Sequence, residues 1–301
     1  MMNILNNKNQ YIIILNKVLG NIVTKFFIIL IKFLTSIILA KFLGPTGKGI
    51  TYAFQSVSGS IVNYSSLGID DSLIFNNNTK KLKNSYLFIA SLYFHIFLSI
   101  ISFKLFFIIK FIFPNLFTDI NSYLFEILIF LTLLIGESLT HGCLKSLRKF
   151  RIFNILSVIS RLNLLIFLFL SLSKTSTPDQ AINAFVIIAA INLIISYIVL
   201  YKLTKPELIN PSKLIFLLRY GIKVHLGTVL SESDYKLDIY FILFFLSAYD
   251  LGIYSISLAI CSLAIYIPNS ITTILFPYTS ESKKRNKNFT FFFLSGLAIF
   301  Q

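Results

Sequence analysis

The chain contains no tryptophan, only two cysteines and only three histidines, and these shortages exclude several kinds of site. Cys143 and Cys261 lack the CxxC spacing of a redox or zinc motif, so we interpret both as buried small apolar residues. His95, His141 and His225 lie on three different predicted helices, and none has a second ligand at helical spacing. The sequence therefore predicts neither a metal site nor a bound cofactor.

Charge is also scarce, because only 13% of the 301 residues are charged whereas 56% are hydrophobic. A water-soluble domain of this length cannot bury so much apolar surface. A membrane-spanning helix needs roughly 20 apolar residues, and backbone in lipid must satisfy its own hydrogen bonds. The apolar runs are long and continuous, so they predict an all-α polytopic membrane protein. The predicted spans are 18–42, 49–75, 85–112, 121–142, 152–173, 180–203, 220–246 and 249–279, and a ninth begins near Phe289.

The basic residues are unevenly distributed among the connections. Seventeen Lys and Arg residues precede the first span or follow even-numbered spans, and only Lys41, Lys48, Lys110 and Lys174 lie in the other connections. The net charge of +15 is thus a topology signal that also contacts anionic lipid, and we expect no nucleic-acid partner. By the positive-inside rule, the N-terminus and the loops 76–84, 143–151, 204–219 and 280–288 are cytoplasmic.

The chain contains an internal repeat. Residues 42–50, FLGPTGKGI, align without gaps to residues 245–253, FLSAYDLGI, each 203 positions later. Both copies occupy a predicted tight turn outside the membrane, between an odd-numbered and an even-numbered span. This predicts one six-helix bundle and the start of a second, parallel-repeat bundle around an axis normal to the membrane. The predicted domains are a first lobe (1–203), a cytoplasmic linker (204–219) and an incomplete second lobe (220–301).

Residues 38–49, ILAKFLGPTGKG, resemble the signature after the first helix of polysaccharide (O-antigen type) flippases, in the multidrug/oligosaccharidyl-lipid/polysaccharide exporter superfamily. Residues 219–238, 252–255 and 268–277 are similar to the seventh and eighth helices of that family. The resemblance implies a transporter of the bacterial inner (cytoplasmic) membrane that moves a prenyl-diphosphate-linked oligosaccharide between two six-helix lobes. Because the chain stops in its ninth predicted helix, we expect a C-terminally truncated product that does not transport by itself.

Charged residues inside the spans are costly in lipid and normally face a cavity or a partner. In span one, Lys25 and Lys32 share one helix face with Asn21 and Ser36. Arg161 in span five adds a guanidinium, which suits bidentate phosphate contact. We predict a cationic cavity for the lipid diphosphate, and its substrate-binding residues are Lys25, Lys32, Arg161 and Lys223. The alternative is ion pairing with Glu126, Glu137, Glu232, Asp234 or Asp238.

Span seven is the most polar predicted helix, and we expect it to move. Glu232 and Lys236 have the favoured spacing for an ion pair, whereas Asp234 and Asp238 place two like charges one turn apart. The two aspartates are therefore candidates for proton or sodium coupling, and a static salt-bridge network is the alternative. The predicted hinge positions in this span are Gly221 and Gly227.

A membrane-embedded enzyme of glycan assembly, either a polymerase or a glycosyltransferase, is the less favoured class. The predicted outer loops are short, and their carboxylates, Asp119, Asp179 and Asp250, form no general acid–base pair. We therefore expect no enzymatic activity. Within transporters, a cation-coupled multidrug exporter and a peptidoglycan-precursor flippase stay open. The expected partners are the lipid bilayer, the lipid-linked oligosaccharide, a proton or sodium ion and other membrane proteins of polysaccharide assembly.

Overall fold

The structure, a computed structural model, describes residues 2–261, without the side chains of residues 2–19, 21, 22, 231 and 235. Over this range the chain is almost entirely helical and contains no strand, which confirms the predicted fold class. The predicted ninth span, the 280–288 loop, the last part of span eight and the side chain of Asn21 lie outside the described part of the chain.

Over residues 2–261, eight helices follow one another. Two 3-10 segments, Asn84–Tyr86 and Pro114–Tyr123, precede the third and the fourth of them. Six segments of this described range are long and apolar enough to cross a membrane, so the protein is a multi-pass membrane protein. The helices are α1 (Met2–Ser65), α2 (Ile69–Asn78), α3 (Leu87–Ile112), α4 (Leu124–Ser146), α5 (Phe150–Leu172), α6 (Pro178–Thr204), α7 (Pro211–Phe245) and α8, described over Ala248–Cys261.

The first helix folds back on itself at Gly44. This residue has φ 66° and ψ −178°, a conformation that glycine adopts readily, and Pro45 follows at the start of the next helical stretch. The Lys48 ammonium donates a hydrogen bond to the Ser36 hydroxyl, although twelve residues of straight helix would separate the two by about 18 Å. Helix α1 therefore consists of two antiparallel arms, which we call arm 1 (residues 2–43) and arm 2 (residues 45–65).

The predicted basic loops meet at one end of the bundle. The Nε of Arg148, after α4, donates to the side-chain oxygen Oδ1 of Asn78 at the end of α2, over 2.9 Å. The Glu207 amide, after α6, donates to the Ser85 carbonyl at 3.0 Å. These contacts place the loops after α2, α4 and α6 together, as the alternation of Lys and Arg predicts. Which end faces the cytoplasm stays a prediction.

The other connections meet at the opposite end. The Tyr123 hydroxyl, before α4, donates to the Asp179 carboxylate in the first turn of α6, over 2.5 Å. The α carbon of Gly47 lies close to the ring of Pro178, which begins α6. The turn at Gly44 therefore shares this end, which we call the turn end, with the connections before α4 and α6.

Helix α4 occupies the centre of the first lobe and packs against α1, α2, α3 and α6. Aromatic rings fill the core there, since Phe54 of arm 2 lies 5.2 Å from Phe130 and 6.4 Å from Phe185, measured between ring centroids. A Cβ atom on Gly136 of α4 would lie only 2.6 Å from the Leu193 side chain. Close packing through small residues is how helices associate when lipid removes the hydrophobic driving force.

The predicted boundaries differ from the structure in two places. Predicted span two, 49–75, is interrupted, because arm 2 ends at Ser65 and α2 begins at Ile69 after Gly68, which has φ 62°. Helix α6 ends at Thr204 and α7 begins at Pro211, well before the predicted start of span seven at residue 220. Asn210 caps α7 by accepting a hydrogen bond from the Ser212 amide, and proline is favoured at the first helical position. The connection is thus 205–210, whereas the division of the whole chain into two lobes stays a prediction.

Candidate functional site: a cationic cavity

Two adjoining cavities lie beside arm 1, with volumes of about 260 Å³ and 550 Å³. Both are lined by Lys32 of arm 1, Leu134 of α4 and Arg161 of α5. The larger cavity extends between the first lobe, α7 and α8, and the smaller lies within the first lobe. Lys32 and Arg161, which the sequence places far apart, therefore face the same space, as predicted.

The charged residues that line the larger cavity, among those described, are all cations. They are Lys32, Lys48, Arg161 and Lys236, one each from arm 1, arm 2, α5 and α7. Four positive side chains around one cavity repel one another in a low dielectric, and they favour an anionic ligand. Arg161 offers the rigid fork of donors that matches a phosphate, while the three lysines act as point charges.

The smaller cavity is mixed in charge. Lys25 lines it together with Glu137 and His141 of α4, and with the two cations shared with the larger cavity, Lys32 and Arg161. The Ser160 hydroxyl, which also lines it, accepts a hydrogen bond of 2.6 Å from Asn192 on α6. Lys25 therefore shares the smaller cavity with Lys32, and Glu137, one of the carboxylates of the ion-pairing alternative, lines the same cavity.

Lys48 is a site residue that the sequence analysis missed, because we assigned residues 44–49 to a turn outside the membrane. Arm 2 instead begins at Pro45, and Lys48 is only 3% exposed. The spacing contained the signal, since Lys48, Gln55 and Gly59 lie one beneath another on a helix and all line the larger cavity. With Lys48 assigned to the cavity, three basic residues remain in the predicted outer connections, namely Lys41, Lys110 and Lys174.

Lys223 lines neither of these two cavities, so its predicted role in substrate binding stays a prediction. On α7, His225 faces arm 2 and Gly221 faces the turn that follows it, and Lys223, half a turn from each, is exposed on the other side of the helix. The same geometry leaves Asp234 exposed while Glu232 and Lys236 face arm 2.

The two cysteines differ in their exposure. Cys143 is buried, as predicted. Cys261 is exposed and lines the larger cavity, so the prediction that it is buried is wrong.

Arm 2 and α7 are joined along their length by polar contacts. The Ser60 hydroxyl and the Asn63 amide donate to the two oxygens of the Glu232 carboxylate, at 2.8 Å and 2.7 Å. The Lys236 ammonium lies 3.2 Å from the same carboxylate and donates to the Ser56 carbonyl at 3.3 Å. The predicted ion pair between Glu232 and Lys236 is thus present, and we call this set of contacts the arm 2–α7 seam.

The other candidates for ion coupling have different surroundings. Asp238 accepts hydrogen bonds from the Tyr254 hydroxyl on α8 and from the Ile239 amide. Helix α7 is continuous through Gly221 and Gly227. The backbone of Gly221 lies against Leu67 and Gly68, and this close approach leaves no room for a side chain at position 221. The hinge and coupling roles stay predictions.

The two copies of the internal repeat touch at the turn end. A Cβ atom on Gly49 would lie 1.7 Å from the Ala248 carbonyl oxygen, and one on Gly252 would lie 2.0 Å from the Pro45 carbonyl oxygen. Gly252 is the counterpart of Gly49, and Ala248 is the counterpart of Pro45 in the alignment. The contact is therefore reciprocal, as a two-fold relation between the repeats requires.

The larger cavity also follows the two-fold relation between the repeats. Helix α7 ends at Phe245 and α8 begins at Ala248, which repeats the break at Gly44 in register. Four pairs of counterpart residues also line the cavity: Phe33 with Lys236, Ser36 with Ile239, Tyr52 with Ser255, and Gln55 with Leu258. Corresponding faces of the two repeats thus enclose one space, and the first repeat supplies most of its polar groups.

These features define a multi-pass α-helical membrane protein whose two repeats enclose a cationic cavity. Residues 14–283 match the family model of polysaccharide biosynthesis proteins, so the chain belongs to this family. A solved structure, "protein A", has 16% sequence identity and a TM-score of 0.72, with 95% of this chain and 70% of that chain covered. That likeness shows a shared fold. No curated protein matches the chain.

Proposed function

We propose that the protein transports a prenyl-diphosphate-linked oligosaccharide from the cytoplasmic to the outer face of the bacterial inner membrane, for surface polysaccharide synthesis such as O-antigen or capsule. One observation carries the proposal, namely that the charged residues described around the larger cavity are all cations. Family membership in polysaccharide biosynthesis supports the substrate class.

The physical argument concerns the diphosphate. An unpaired charge in the middle of a membrane costs about 2.5–3.5 kcal/mol even on the lenient insertion scale. A lipid diphosphate therefore needs compensating charge as it crosses, and Lys32 and Arg161 supply it from two different helices, whereas the charge of Lys236 is balanced by Glu232. A volume of about 550 Å³ lies within the usual range of small-molecule sites.

The alternatives differ in the charge that they require. A multidrug exporter of cationic compounds needs a cavity rich in carboxylates, which is the opposite of the described lining of the larger cavity. A peptidoglycan precursor carries the same prenyl diphosphate, and so the cations favour it equally. We assign no catalytic step to the cavity, and we place proton or sodium coupling with Asp238 or Glu137, two half-buried carboxylates, of which Glu137 lines the smaller cavity.

The test is complementation of a strain that lacks its own polysaccharide flippase, with the protein expressed from its native coding sequence. We expect Lys32→Met and Arg161→Met to abolish surface polysaccharide at normal protein abundance. Lys41→Met is the matched control, because Lys41 is an exposed lysine on the same arm. Normal polysaccharide in both cavity variants would contradict the proposal, and rescue of a peptidoglycan-flippase-deficient strain would identify the other substrate.

A further inference from the structure

The position of Lys48 connects the cavity to the contact between the repeats. Its ammonium group is buried against the Ser36 hydroxyl and so joins arm 2 to arm 1 just below the turn at Gly44. The next residue, Gly49, packs against the Ala248 carbonyl of the second repeat. Because a helix is stiff over one residue, the backbone of Lys48 cannot move without moving Gly49.

From this arrangement we propose that Lys48 is a switch, which exchanges Ser36 for the diphosphate of the substrate and thereby separates the two repeats at the turn end. The inference rests on the proposed function, since it takes the ligand to be a diphosphate anion. It adds a second anion-binding position, at the turn end, to the one formed by Lys32 and Arg161.

The coupling follows from differential affinity. A ligand shifts a conformational equilibrium only when it binds one state more tightly than the other. In the described state the Lys48 ammonium lines the cavity and is bonded to Ser36, so an anion competes with that hydroxyl for the ammonium group. Exchange of Ser36 for the anion removes this tie between the two arms and frees arm 2 to move, and the Gly49–Ala248 contact moves with it.

The anion has a path to this position. Lys32 and Lys48 line the same cavity, on the two antiparallel arms of α1, and Lys48 lies nearer to the turn. From Lys48 to Gly59 the lining residues of arm 2 cover about 16 Å of helix. A diphosphate held by Lys32 and Arg161 thus moves toward the turn end by transfer from one cation to the next.

The experiment measures the distance between spin labels at Thr46 and Tyr249, which are exposed counterparts on the two turns. The protein carries Cys143→Ala and Cys261→Ser and is placed in lipid nanodiscs, with geranylgeranyl diphosphate as the probe and geranylgeraniol as its uncharged control. We expect the diphosphate, but not the alcohol, to shift the distances of the otherwise unmodified protein to longer values. Lys41→Met should behave in the same way.

Lys48→Met is the decisive variant. It should still bind the diphosphate through Lys32 and Arg161, with affinity reduced roughly tenfold or more by loss of one charge-assisted contact, and its label distance should not change. Ser36→Ala should do the opposite and lengthen the distance without any ligand, because it removes the partner that holds Lys48.

Three results separate the possibilities. Movement of Lys48→Met on ligand addition equal to that of the unmodified protein would overturn the switch, and so would binding by the unmodified protein without movement. An unchanged distance in Ser36→Ala would also count against it. Failure of the unmodified protein to bind the diphosphate at all would instead contradict the proposed function.

Discussion

The closest approach of the two repeats gives a prediction whose size follows from the structure. In Gly49→Ala the new methyl carbon would lie 1.7 Å from the Ala248 carbonyl oxygen, whereas an ordinary contact between carbon and oxygen is about 3.3–3.6 Å. The methyl carbon is fixed directly to the Gly49 backbone and the oxygen belongs to the Ala248 backbone, so the turns must separate by more than an ångström. Overpacking of this kind costs about 1–3 kcal/mol, which corresponds to a 5- to 150-fold shift between two conformations.

The clash with Ala248, and not the change from glycine to alanine as such, makes Gly49→Ala unfavourable for the contact between the turns. Replacing glycine by alanine inside a helix is favourable by about 1 kcal/mol when nothing opposes the methyl group. Gly20→Ala, for which nothing lies within 4 Å of the new atom, should therefore be neutral or stabilising. Gly252→Ala should reproduce the effect of Gly49→Ala, since it meets the Pro45 carbonyl oxygen at 2.0 Å.

The assay compares Gly49→Ala, Gly252→Ala and Gly20→Ala in complementation and in external labelling of a cysteine placed at Gln55, which lines the cavity. We expect the first two variants to lose most surface polysaccharide and to label faster, because the turns no longer close over the cavity. If Gly49→Ala transports and labels as Gly20→Ala does, the repeats do not touch in the resting protein and the reasoning fails.

Three further predictions test the rest of the architecture. Glu232→Gln should lower the unfolding free energy by about 1–3 kcal/mol in a detergent-based unfolding titration, because it leaves Lys236 unpaired in the seam. Asp234→Asn should change the unfolding free energy little, because Asp234 is exposed. Equal values for the two variants would mean that the seam does not stabilise the protein. Lys223→Ala should support normal polysaccharide, since Lys223 lines neither cavity, and a loss would return it to the transport path. A single cysteine at Thr177 should react with an impermeant reagent outside the cell and one at Lys149 should not; the reverse pattern would invert the topology.

Hydropathy and charge alternation were sufficient for the fold class and for the grouping of the connections. Both signals are local and strong, since a span requires continuous apolar residues and the basic loops differ sharply from the others. The convergence of Lys32 and Arg161 was also predictable. Charges in the membrane must face a cavity or a partner, and few such charges are available.

The failures have specific physical causes. Lys48 was misplaced because a run of glycine and proline normally indicates a loop, whereas here a single residue, Gly44, makes the whole reversal. The position of Lys223 outside both cavities was not predictable, because periodicity says which residues share a face but not which face meets the neighbouring helix. That choice depends on Gly221 and His225, whose partners on arm 2 and the following turn are more than 150 positions away in sequence.

The arm 2–α7 seam also has a consequence for how the chain enters the membrane. Helix α7 begins in the least apolar of the six candidate spans, and it includes Glu232 and Lys236. A ribosome delivers α7 to the insertion machinery long after arm 2, whose hydroxyl and amide groups are the partners of those charges. Arm 2 is therefore already in the membrane when α7 arrives, and its polar groups can pair with the charges of α7 as that helix inserts. A mutation of Ser60 or Asn63 should then reduce the yield of inserted protein before it affects any step of transport.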